Sequence, residues 1–103
     1  MILSVRTGGM QSGKQMAGFA WAVKVAAYLN TTFPGMNVRV TRAVGGPLAE
    51  VRWLSEFASL AEYEGRVAKF EADAGYQSLL KEARDGGFFD ARTLRDDLHQ
   101  IIG

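Results

Sequence analysis

The stretch that decides the fold runs from Trp53 to Tyr76, WLSEFASLAEYEGRVAKFEADAGY. Leading into it and through it, Ala49, Val51, Trp53 and Phe57 recur at even spacing, the period of one face of a β-strand. Ser59 and Glu62 then form an S-x-x-E capping box, whose side-chain oxygens satisfy backbone N–H groups that an incipient helix leaves free. Leu60, Tyr63, Val67 and Phe70 follow at helical spacing, with Glu62, Arg66, Lys69 and Asp73 on the watered side. The spacing predicts a strand over Leu48 to Phe57 and a helix over Leu60 to Ala74. Gly75 interrupts that helix. Tyr76 to Arg84 is helical again, carrying Leu79, Leu80 and Ala83, and Gly86 and Gly87 end it.

Working outward, Ile2 to Thr7 alternates Leu3 and Val5 against Ser4 and Arg6, a first strand closed by Gly8 and Gly9. A helix is expected from Gly13 to Phe33, capped by Ser12 and stopped by Pro34 and Gly35. It carries one apolar stripe of Met16, Phe19, Ala20, Val23 and Ala27, and a second of Trp21, Val25 and Tyr28. Met36 to Val44 reads as a strand paired in a β-hairpin with Leu48 to Phe57 across Gly45, Gly46 and Pro47. Phe88 to Leu94 is the last expected strand, and Arg95 to Gly103 a tail. The order is β-α-β-β-α-β, the split βαβ of ferredoxin-like folds: an α+β domain with a four-stranded antiparallel sheet and helices on one face. With Leu3, Val5, Val51 and Trp53 toward the helices, the opposite face would carry Ser4, Arg6, Glu50, Arg52, Asp90 and Arg92.

The chain of 103 residues is read as one domain, 1-103, near the size at which self-association adds useful stability. A formal net charge of +1 provides no field to gather nucleic acid or anionic lipid. The absence of cysteine excludes disulfides, thiol catalysis and thiolate metal sites, and suits a reducing cytoplasmic setting. MILSVRTGG lacks the pattern of a signal peptide. Met16 to Leu29 is the longest apolar region, but it is shorter than the roughly 20 residues of a membrane span and has Lys24 in its middle.

The region Gly46 to Tyr76, with Glu50, Trp53, Phe57, Ser59, Leu60, Glu64, Asp73 and Tyr76, together with Arg6 and Thr7, resembles NIPSNAP-like proteins of the dimeric α+β barrel group. The shared features are a strand ending in an aromatic residue, a Ser-Leu-x-x-x-Glu helix start and the Asp-x-x-Tyr segment Asp73 to Tyr76. The resemblance implies a homodimer whose two sheets meet face to face, with a pocket between sheet and helices in each protomer. Its wider group includes cofactor-free monooxygenases of quinone-like polyketides, haem-degrading enzymes, lactone isomerases and members without an assigned role. The haem degraders use an Asn, Trp and His constellation, which this chain lacks: its only histidine, His99, is near the C-terminus and the first strand has no Asn.

No catalytic set emerges from the residues themselves. Gly8 to Lys14 fits G-x-x-x-x-G-K, but Gln15 replaces the Ser or Thr that would hold magnesium, so a turn followed by a solvated lysine is the reading. His99, with Asp96 and Asp97, lacks the convergent partners of a metal site. Arg6, Arg39, Arg52 and Arg92 could bind a carboxylate or stabilise an enolate, but salt bridges with Glu50 and Asp90 are the simpler reading, and Asp73 and Tyr76 are assigned to holding the break between helices. The candidate ligand-binding residues are Arg6, Trp21, Tyr28, Trp53 and Tyr63, aromatic surface and one cation suited to a flat apolar molecule. Tyr63 or Tyr76 would donate to a ligand oxygen. The expected function is binding of a small apolar molecule, or a structural role, by a homodimer without metal or cofactor; the alternative is a cofactor-free monooxygenase or isomerase acting on an aromatic polyketide-like substrate.

Overall fold

A computed structural model describes residues 1–103. Its elements, in order, are β1 (Ile2–Met10), α1 (Gln15–Thr32), β2 (Arg39–Arg42), β3 (Glu50–Phe57), α2 (Leu60–Glu71), α3 (Ala74–Gly86) and β4 (Phe89–Gln100). The strands form one antiparallel sheet in the order β2-β3-β1-β4, with the helices against one face. This is the expected ferredoxin-like α+β arrangement, but the second helical segment breaks at Ala72 and Asp73, where the Asp73 side chain caps a new helix, and Gly75 lies inside α3 instead of interrupting the helix.

The junction follows the capping box, except that the return bond to Glu62 comes from the residue before the Ser59 cap. Ser59 Oγ accepts from the Glu62 N–H at 3.1 Å, and the Glu62 carboxylate accepts from the Ala58 N–H at 2.6 Å. That backbone bond, followed by Arg66, holds the Glu62 carboxyl below the usual carboxylate range. Asp73 caps α3 in the same manner, accepting from the Tyr76 N–H at 2.9 Å. Gly87 ends α3 in the left-handed conformation at φ 62°, a backbone that glycine adopts without a Cβ penalty.

The register keeps the expected faces of β3 but reverses those of β1. Trp53 stands opposite Arg6, Ser55 opposite Ser4 and Phe57 opposite Ile2, so Ser4 and Arg6 share the helix-facing side with Val51 and Trp53. Leu3 and Val5 point to the open face with Arg52, Leu54 and Glu56. The alternation in β1 was legible, but its sense was not: pairing with β3, whose apolar side is unambiguous, decides which half of β1 faces inward.

Gly8 and Gly9 do not end β1, which runs through them to Met10. They are glycines because Leu94 and Phe89 crowd one Cα and Thr93 the other. Here β4 bulges: Thr7 pairs with Arg95 and Gly9 with Asp90, leaving Ala91 to Leu94 opposite Gly8. Thr93 Oγ1 accepts from the Gly9 N–H at 2.8 Å, replacing a bond the ladder loses. Beyond the bulge, Arg95 to Gln100 pairs with β1 to Ile2 and is strand rather than tail. Its charged side chains gave no alternation to read, and the ladder that holds it is made of backbone groups.

The structure corrects four further expectations. Helix α1 starts at Gln15 with Lys14 as its N-cap and no side-chain cap, so Ser12 does not cap it. Its buried residues are Trp21, Val25 and Leu29 with Gly18, Ala22 and Ala26. The stripe containing Met16 and Val23 faces water instead, at 89% and 60% exposure. On α2, Leu60, at the first helical position, is likewise exposed. Strand β2 covers only Arg39–Arg42. Asn37 turns the preceding chain with φ 49°, and the Asn30 side chain receives the Val38 N–H at 2.7 Å and donates to its carbonyl at 3.0 Å, standing in for a strand partner.

Candidate binding cavity

Between the helices and the inner sheet face lies a cavity of about 830 Å³, inside the size range of small-molecule sites. Its apolar wall combines Val25 and Leu29 of α1, Val67 and Phe70 of α2, Leu80 and Ala83 of α3, and Trp53 and Phe57 of β3. Phe89, Ala91 and Leu94 of β4 complete it. The bulge in β4 brings this last group into the wall, because it moves Leu94 against Gly8 on the inner face.

The two tryptophans are fixed by their polar edges. The Trp21 indole N–H donates to the Leu79 carbonyl at 2.9 Å, and that of Trp53 to the Ala22 carbonyl at 3.1 Å. These bonds satisfy the donors on backbone, so the rings present apolar surface. They meet edge to face at 6.1 Å between centroids, and Phe89 completes the triangle at 5.4 Å from Trp21 and 5.9 Å from Trp53.

A polar cluster occupies one side. Arg6 donates from Nε and Nη2 to the two Asp96 oxygens at 2.6 and 2.8 Å, a bidentate pair. Its Nη1 donates to the Tyr76 hydroxyl at 3.3 Å. The hydrogen bonds that Arg6 donates to Asp96 hold the guanidinium above the ordinary arginine range, against the opposing effect of burial. Burial pushes the Tyr76 hydroxyl up, while Arg6 pulls it down. Burial also raises Tyr63, whose ring packs on Phe57 at 5.3 Å with the charges of Asp96 and Arg6 nearby. The arrangement offers hydrogen bonds beside a large apolar wall. It has no nucleophile activated by a base, and no group of three or more His, Asp or Glu side chains is placed to hold a metal ion.

Arg6, Trp21, Trp53 and Tyr63 therefore line one cavity. Tyr28 lies elsewhere: its hydroxyl donates to Asp73 at 2.5 Å, where α1 crosses the start of α3. That bond raises Tyr28 and holds Asp73 down, and the Tyr28 ring rests over Gly75, where no Cβ would fit. Asp96 and Phe89 join the site without a signal in the local sequence. Asp96 sits in a charged run and lies 90 positions from Arg6, so only the β1–β4 pairing reveals it. His99 pairs with Leu3, which faces the open side of the sheet, so it is outside the cavity. The glycine-lysine segment supports no phosphate loop, because Gly8 is within a strand.

No protein-family model matches the chain. No curated protein sequence matches it either. Among solved structures, it is similar to a NIPSNAP family protein of unknown function from Agrobacterium tumefaciens, with TM-score 0.78 and 21% identity, covering 96% of this chain and 86% of that one. An uncharacterised NIPSNAP domain protein from Burkholderia xenovorans superposes with TM-score 0.80 at 14% identity, covering 99% and 95%. A protein provisionally assigned as an antibiotic biosynthesis monooxygenase from Deinococcus radiodurans follows with TM-score 0.72 at 13% identity, covering 100% and 94%. At these identities the likeness is one of fold, and the chain has the ferredoxin-like fold of structures described as NIPSNAP proteins and of this monooxygenase-named neighbour.

Proposed function

We propose that this domain binds a small apolar molecule between its helices and sheet, and that it does so as a homodimer in a cytoplasmic setting. The observation that carries the reading is the cavity itself: about 830 Å³ of mostly apolar wall where a purely structural domain would pack side chains. Dimerisation is supported by the open sheet face. Leu3, Val5 and Leu54 lie there only half-buried. A second sheet laid on this face would cover them.

The test is titration with N-phenyl-1-naphthylamine, a neutral fluorophore, together with native mass spectrometry of freshly purified protein. Saturable binding that disappears in Ala83→Trp, which fills the cavity, supports the reading. Absence of both saturable binding and a retained mass sinks it.

A second reading draws on the convergence of Arg6 and Tyr76 with the fold of the monooxygenase-named neighbour. In it, the domain is a cofactor-free monooxygenase or isomerase of an aromatic polyketide-like substrate, with Arg6 and Tyr76 stabilising oxyanion character on the ring. Oxygen uptake with a reduced polycyclic phenol, lost in Arg6→Gln, distinguishes this reading from binding alone.

A further inference from the structure

We infer that Asp96 is the specificity-determining residue of the cavity: by occupying Arg6 it makes the site accept neutral molecules bearing a hydrogen-bonding oxygen and exclude carboxylates. The inference rests on the cavity being a binding site and adds the charge of what it binds.

A lone arginine on an apolar wall is the usual receptor for a carboxylate, because its planar fork matches two carboxylate oxygens. Here one bidentate edge of that fork is taken by Asp96, and three of its five N–H donors are engaged. Both Asp96 oxygens are engaged, through Nε at 2.6 Å and Nη2 at 2.8 Å, and the third edge of the guanidinium is turned to Tyr76. Each partner retains 38% of its exposure, so the pair lies at the cavity wall and not in a sealed core. An entering carboxylate would meet a guanidinium whose charge Asp96 already neutralises, with the Asp96 carboxylate beside the donors that remain. It would lose its water without gaining a counter-ion.

A neutral oxygen meets a different environment. The Tyr76 hydroxyl accepts from Arg6, which leaves its own proton for a ligand acceptor. Tyr76 is otherwise immobilised, buried to 5% exposure with its ring against Phe70 at 5.0 Å. The other cations on the wall do not substitute for Arg6. Arg95 is paired with Asp97 at 3.0 Å, and Arg84 is exposed on the last turn of α3, where water screens it and the helix end accounts for its charge.

Two ligands of the same shape separate the effects: naphthalene-2-carboxamide, which is neutral, and 2-naphthoate, which is anionic at pH 7. Isothermal titration calorimetry on the intact protein is expected to show the carboxamide bound at least about tenfold more tightly. Asp96→Asn frees Arg6 and is expected to move that ratio by about tenfold or more toward the carboxylate, while Asp96→Glu retains the wild-type preference. Arg84→Gln leaves the ratio unchanged. Equal binding of the two ligands by the wild type overturns the inference while leaving the cavity reading intact, as does a ratio that responds to Arg84→Gln and not to Asp96→Asn. Binding of neither ligand to the wild type overturns both. The wild-type ratio decides the matter even where a variant fails to fold.

Discussion

Tyr76 connects two systems through one side chain. Its backbone N–H is fixed by the Asp73 cap, and its hydroxyl accepts from Arg6 inside the cavity. Tyr76→Phe keeps the ring on Phe70 and removes only the polar contact, so we expect a stability change of about 1 kcal/mol or less, with a larger relative loss in ligand affinity. Denaturant unfolding and calorimetric titration measure the two effects separately. Asp73 makes a sign-definite prediction for pH. Its carboxyl is held down by Tyr28 and by the Tyr76 N–H, so its contribution is present above the unfolded value, about 4, and is lost as pH falls through the lower folded value. Urea unfolding across the acid range should therefore show a steeper loss in the wild type than in Asp73→Asn. If the two profiles are parallel, the Tyr28–Asp73 bond does not stabilise the fold. The Asp73–Tyr76 pair was legible in sequence as the brace of a helix break. The second role of Tyr76 was not, because its partner Arg6 lies 70 positions away.

The secondary elements differ in how much of their own boundary they encode. The start of α2 is specified locally by Ser59 and Glu62, and its geometry follows the sequence pattern. Ser59→Ala should cost about 1 kcal/mol in thermal or denaturant unfolding. Because Ser59 and Glu62 cap the same turn, combining Ser59→Ala with Glu62→Ala should cost less than the two separate losses added together. The tryptophans act between elements: Trp53 ties β3 to α1, and Trp21 ties α1 to α3. Trp53→Ala removes an anchored ring from the Trp21–Phe89 cluster and should destabilise by about 3 kcal/mol. Helix α1 carried two apolar stripes of similar strength, and periodicity alone could not rank them. The stripe with Trp21 and Val25 is the buried one, because its indole reaches a carbonyl of α3 and its small neighbours Gly18 and Ala22 allow close approach to Met10 and Val51.

For the molecule as a whole, light scattering should return about twice the chain mass of 11.2 kDa at micromolar concentration. A stable species of the single-chain mass would remove the face-to-face dimer from the proposal. Replacing Leu54 on the open face with Lys should shift the population toward the smaller species while leaving the cavity wall untouched, which far-ultraviolet circular dichroism and fluorophore binding would confirm. No helix of the protein is long and apolar enough to cross a membrane. The sequence by itself determined the order of strands and helices, the capped junction after Phe57, the presence of a break in the second helical segment and hence the ferredoxin-like topology, because each of these depends on residues a few positions apart. Tertiary structure alone decided which face of β1 turns inward, that the charged segment after Leu94 is a strand, and that Arg6 is held by Asp96. Those outcomes depend on the register between strands distant in the chain, and a shift of one residue in that register would send every side chain of the strand to the other face.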